Sequence, residues 1–94
     1  MIDTTAGWVA ESAGGRLVSG DAQAPGPRRA VIDTRAVEPG DLFVGLPGSR
    51  VDGGEFAAQA MERGAWGTIT TARHATGPNA IAAGEPLHAL QALA

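Results

Sequence analysis

Apolar and polar positions alternate most clearly in the middle of the chain. From Asp41 to Leu46, Leu42, Val44 and Leu46 fall on one side of an extended segment and Phe43 on the other, the period-two pattern of a strand. Pro39-Gly40 before it is a turn signal, because proline presets φ and glycine tolerates the left-handed position that follows. After it, Pro47 to Gly54 reads as a glycine-rich loop. Glu55 to Arg63 reads as a helix with Phe56, Ala57, Ala60 and Met61 on one face, stopped by Gly64. Upstream, Thr4 or Thr5 is an N-cap for a helix to about Ala13, with Ala6, Val9, Ala10 and Ala13 as its apolar stripe and Gly14-Gly15 as its end. Arg16 to Ser19 is a short strand, Gly20 to Pro27 a loop, and Arg29 to Thr34 a second strand. Downstream, Trp66 to Thr70 is a strand, Thr71 to Asn79 a polar loop, and Ala80 to Ala83 a last short strand. Pro86 suits the first turn of a closing helix in which Leu87, Leu90 and Leu93 recur every three residues. The order α-β-β-β-α-β-β-α places the chain in the α/β class, as one small domain of four to five short strands and about three helices.

Length and composition narrow what such a domain does. Ninety-four residues make one domain, with eighteen Val, Ile, Leu and Phe, so nineteen Ala fill much of the core. A net charge of −3 gives no basic footprint for nucleic acid. No apolar run reaches the roughly 20 residues that span a bilayer, and the first residues lack a secretory pattern. Without cysteine there are no disulfides or thiolate metal sites, and His74 and His88 stand apart from any cluster at ligand spacing. The expected location is the cytoplasm. All seven basic residues are Arg, so this chain holds neither a P-loop lysine nor a Schiff-base lysine.

Two constellations carry chemistry. Asp33-Thr34-Arg35 sets a carboxylate, a hydroxyl and a guanidinium at the end of a strand, where open α/β sheets bind ligands. By spacing alone a polar strand end explains it as well as a substrate clamp does, and better. Gly48-Ser49-Arg50-Val51-Asp52-Gly53 offers close backbone approach, successive amides for an anion nest and a forked donor in Arg50, which suits a diphosphate. A helix opening at Gly54 or Glu55 would add its positive end. An ordinary strand-to-helix turn has the same composition, and the loop is not a G-x-G-x-x-G fingerprint. Trp8 and Trp66 read as core or edge packing, and Glu11, Glu55, Glu62 and Arg63 as solvated helix faces.

Together the string D-T-R-x-V-x-P-G-D-L-F-V-x-L-x-G-x-x-x-D-G-x-x-F, from Asp33 to Phe56, resembles the N-terminal, UDP-substrate-binding domain of the Mur ligases, with weaker similarity over nearly the whole chain. Within that family the string looks most like the branch that adds D-alanyl-D-alanine to UDP-N-acetylmuramoyl-tripeptide. The sister branch, adding the third amino acid, shares much of it. The resemblance implies a mixed sheet, and a domain over residues 1–94 that binds the UDP end of a UDP-N-acetylmuramoyl-peptide in peptidoglycan precursor synthesis. It implies that ATP and Mg²⁺ belong to a central ATPase domain lying beyond these residues, with a C-terminal domain after it. This chain would then need no cofactor of its own and would not run the reaction alone. Carried over position by position, the resemblance assigns UDP contacts to Ile32, Thr34, Ser49, Arg50 and Val51. Asp33, Arg35, Gly48, Asp52 and Gly53 would support them. A non-enzymatic interaction module that has lost the nucleotide is the alternative from another class. Partners expected are the muramoyl-peptide substrate and the ATPase domain, with neither nucleic acid nor membrane insertion.

Overall fold

The alternation at Asp41–Val44 sorts the hydrophobic residues onto two sides of one sheet. Leu42 and Val44 pack on one side with Ile69, Ile81, Val9, Ala10, Ala13, Ala83 and Ala89. Phe43 packs on the other with Val37, Ala60 and Ala65, flanked by Val31 and Met61. A sheet with both faces covered is the setting in which parallel strands are stable. The computed structural model describes residues 4–46 and 53–93 of the chain.

The elements are α1 (Ala6–Ser12), β1 (Arg16–Leu17), β2 (Arg29–Val31), β3 (Asp41–Val44), α2 (Ala57–Glu62), β4 (Gly67–Thr70), β5 (Ala80–Ala82) and α3 (Pro86–Leu93). The sheet is five-stranded in the order β1-β5-β4-β3-β2. Strands β2 to β5 run parallel, in a register that sets Ala30 beside Leu42, Phe43 beside Thr68 and Ile69 beside Ile81. Strand β1 joins the far edge antiparallel to β5. Helices α1 and α3 cover the face of Leu42 and Val44, and α2 covers the face of Phe43. The result is the small α/β domain with a mixed sheet and three helices that the sequence implies.

Local rules account for the ends of these elements. The Thr5 hydroxyl accepts from the Trp8 amide at 3.1 Å and caps α1, and Gly14 leaves the helix at φ +70°. Gly64 does the same after α2, at φ +90°.

Several boundaries differ from the expected ones. Strand β2 stops at Val31 because a 3-10 turn, Thr34–Ala36, begins where the strand was expected to end. Gly53–Phe56 is a 3-10 turn and α2 starts at Ala57, so no α-helical terminus lies at Gly54 or Glu55. Helix α3 buries Pro86 and Ala89, with Leu90 and Leu93 packed beside them, while Leu87 is 50% exposed. A three-residue repeat drifts off the helix face; positions 86, 89, 90 and 93 follow the true 3.6-residue period. Trp8 is 48% exposed, whereas Trp66 packs against the core and donates its indole N–H to the Pro25 carbonyl at 2.8 Å. His74 is half-buried in a 3-10 turn, Ala72–His74, its ring so close to Gly54 that an added Cβ there would stand 2.7 Å from Cδ2.

Candidate functional site

The lip of the site is built by Asp33. Its carboxylate accepts from the Arg35 amide at 2.9 Å, capping the Thr34–Ala36 turn, and takes the Arg35 guanidinium at 3.2 Å from Nε and 3.0 Å from Nη2. A side chain bonding to the backbone two residues ahead competes with strand pairing, which is why β2 gives way here. The Arg35 side-chain and amide hydrogen bonds hold the Asp33 carboxyl below the usual carboxylate range, with a further push from the Arg63 charge. Two more guanidinium groups hold the turn by its carbonyls: Arg63 Nη2 donates to Arg35 O at 3.0 Å and Arg29 Nη2 to Ala36 O at 3.1 Å.

Beside this turn, at the carboxyl ends of β2 and β3, lies a cavity of about 550 Å³. It is lined by Ile32, Asp33, Thr34 and Arg35, by Phe43 and Leu46, and by Phe56 and Gln59. Ile32 is 54% exposed on the rim and Phe43 is buried beneath. The lining combines apolar surface with one hydroxyl, one carboxamide and a salt-bridged pair, within the size range of small-molecule sites. Such a hollow suits a flat apolar ring with polar edges.

Of the residues singled out in the sequence, Ile32, Thr34, Asp33 and Arg35 come together in this cavity. Gly53 opens the 3-10 turn that carries Phe56. Gly48, Ser49, Arg50, Val51 and Asp52 lie outside the described residues. Phe43, Leu46, Phe56 and Gln59 were not marked as site residues. The signal available for two of them was the spacing of Phe56 and Gln59, one helical turn apart just after the glycine-rich loop. Among the described residues no group of three or more His, Cys, Asp or Glu is placed to hold a metal ion. No helix there is long and apolar enough to cross a membrane.

A second charged cluster sits at the start of β2 and β3, tied to the lip through the Arg29 hydrogen bond to Ala36 O. Asp41, fully buried at the start of β3, binds Arg29 and accepts from the Glu38 amide at 2.9 Å. This cluster fixes the β2–β3 pairing on which the lip depends.

A largely parallel sheet with a ligand-sized hollow at its strand ends, walled by a capped turn and a short helix, defines an α/β domain of the open-sheet kind. A family model described as "Mur ligase family, catalytic domain" matches residues 30–93. The chain belongs to the Mur ligase family. It is 40% identical over 90 residues to the UDP-N-acetylmuramoyl-tripeptide–D-alanyl-D-alanine ligase of Mycobacterium leprae, which covers 92% of this chain and 17% of that protein. It is 62% identical over 37 residues to the UDP-N-acetylmuramoyl-L-alanyl-D-glutamate–2,6-diaminopimelate ligase of Gloeobacter violaceus, 39% of this chain and 8% of that protein. Its fold superposes on a crystal structure of MurF from Acinetobacter baumannii with a TM-score of 0.73 and 26% identity, over 96% of this chain and 20% of that one. The chain thus spans a fifth or less of the length of these relatives.

Proposed function

We propose that this chain is the domain of a Mur ligase that docks the UDP end of UDP-N-acetylmuramoyl-tripeptide, in the branch that adds D-alanyl-D-alanine during cytoplasmic synthesis of the peptidoglycan precursor. The observation that carries the reading is the cavity where Ile32 and Thr34 meet Phe43 and Phe56 at the strand ends. In this reading the uracil ring lies against Ile32 and Phe56, and the Thr34 hydroxyl and Gln59 amide pair with its polar edge. The stretch with Ser49, Arg50 and Val51, next in sequence after β3, would in this reading offer amides and a cation to the diphosphate.

In this reading the domain positions and does not react. Holding the remote nucleotide end turns binding energy into orientation of the peptide carboxylate at an ATP- and Mg²⁺-bearing domain elsewhere in the enzyme. Loss of this anchor would then disturb wall building, and with it cell shape and division. Similarity over 90 residues to a D-alanyl-D-alanine ligase favours that branch. The 62% identity over 37 residues to a diaminopimelate ligase keeps the sister branch as the second reading. The UDP end is common to both, so an assay of the full-length parent with D-alanyl-D-alanine against diaminopimelate separates them.

The docking itself is tested by following amide shifts while UDP and UDP-N-acetylmuramic acid are titrated. Shifts gathered at Ile32–Thr34 and in the loop from Ser49 to Asp52 are expected. A flat response at millimolar ligand (roughly the weakest affinity that still counts as specific docking) would overturn it in favour of an interaction module.

A further inference from the structure

The face of α2 turned toward the cavity wall carries Gln59 and Arg63, one turn apart, with Phe56 a turn earlier. Gln59 and Phe56 line the cavity; Arg63 stands just beyond it, at the C-cap of the helix. There its amide donates to Gln59 O at 3.2 Å and Ala60 O at 3.1 Å, and Gly64 turns the chain away. The guanidinium then crosses to the neighbouring segment, 28 residues earlier in sequence, and donates to the Arg35 carbonyl at 3.0 Å.

That carbonyl lies in the middle of the Thr34–Ala36 turn, whose first residues form the cavity wall. The turn is a short 3-10 segment on an edge strand, with exposed side chains at Asp33 and Arg35. Its own cap, Asp33, anchors its amide end. Its carbonyl end is held from outside, by Arg63 from α2 and by Arg29 from the base of β2. Of these two, Arg63 alone bridges the opposite walls of the hollow, since α2 carries one wall and the turn the other. The Arg63 charge also falls close enough to the Asp33 carboxylate to favour its ionised form.

We infer that Arg63 is a positioning residue for the ligand site: it latches the Asp33–Ala36 wall to α2 and sets the width of the cavity without touching what binds there. This rests on the docking reading for its consequence, and on the hydrogen bond to Arg35 for its cause. A methionine at 63 keeps the aliphatic stem and loses the donor; a lysine keeps one donor and the charge.

The test compares the wild-type chain with Arg63→Met and Arg63→Lys, using UDP-N-acetylmuramic acid as the probe. Without ligand, Arg63→Met is expected to move the Asp33, Arg35 and Ala36 amide resonances and raise the Asp33 titration midpoint, with an unchanged melting temperature. Arg63→Lys restores both. With ligand, Arg63→Met weakens binding by roughly three- to tenfold, the scale of one lost hydrogen bond, and Arg63→Lys recovers most of it. Unmoved wall resonances in Arg63→Met, or a loss of stability that accounts for the whole change in affinity, overturns the latch. A wild-type chain that ignores the ligand overturns the docking reading instead, and the ligand-free shifts and midpoint then decide the latch by themselves.

Discussion

Arg29 and Asp41 face each other across the β2–β3 pair, the arginine Nε donating to both carboxylate oxygens at 3.0 and 3.1 Å. Asp41 is fully buried, and it also accepts the Glu38 amide and lies 3.5 Å from the Arg28 Nε. Burial by itself would push this carboxyl up; the Arg29 bond, the Glu38 amide and the two arginine charges outweigh it and hold it below the usual range.

A carboxyl held low in the folded state adds stability above its unfolded pKa, and that contribution disappears as pH falls through the folded value. Asp41→Asn is therefore expected to cost about 2 kcal/mol near neutral pH, because it leaves two arginines facing a neutral amide. The gap from wild type narrows as pH drops below about 4, where the unfolded carboxyl is protonated, and closes only as the folded Asp41, held lower, becomes neutral too. Urea melts of both proteins along a pH series check this; a gap independent of pH would show that the charge of Asp41 is irrelevant to folding.

Thr34→Val replaces the one hydroxyl that the described residues give the cavity wall with a methyl of similar size. UDP-N-acetylmuramic acid should bind more weakly by about 1 kcal/mol or more, the scale of a hydrogen bond to ligand. The melting temperature should stay put. Calorimetric titration measures the first and a thermal melt the second.

Thr68 is fully buried beside Phe43 and Ala80, and its hydroxyl has no hydrogen-bond partner among the described residues. A buried hydroxyl without a partner carries a desolvation penalty, and valine matches its shape and suits a strand. Thr68→Val is expected to stabilise the chain by about 1 kcal/mol, read as a higher urea midpoint at unchanged slope.

The two faces of α3 give a paired comparison. Leu90 packs against the core and Leu87 does not. Leu90→Ala should cost about 1–2 kcal/mol and Leu87→Ala less than about 0.5, measured side by side by denaturant unfolding. Equal losses would contradict the assigned burial.

Much of this architecture is legible in the chain because its strongest signals are local. Leu42 and Val44 against Phe43 assigns the two faces of β3, and Gly14 and Gly64 sit where positive φ ends a helix. What escaped depended on contacts between distant residues or on competition within a few. The strand reading of Arg29 to Thr34 overlooked that Asp33 caps a turn two residues on. Asp41 reads only as the polar first residue of a strand until Arg28 and Arg29 meet it from the neighbouring edge of the sheet. Half of the cavity, at Ile32, Asp33, Thr34 and Arg35, was readable as a motif. The other half, Phe43, Leu46, Phe56 and Gln59, appears once β2, β3 and α2 are placed side by side.

The cavity draws its base from the molecule's interior and its border from residues that hold nothing else up. Phe43 and Leu46 belong to the packing on either side of the sheet, while Ile32 and Phe56 keep 54% and 36% of their surface exposed and belong to neither core cluster. Exchanges at the border can retune which ring or sugar is admitted at little risk to the scaffold. Exchanges at the base cannot, so a lineage exploring new ligands would be expected to vary at 32 and 56 long before it touched 43.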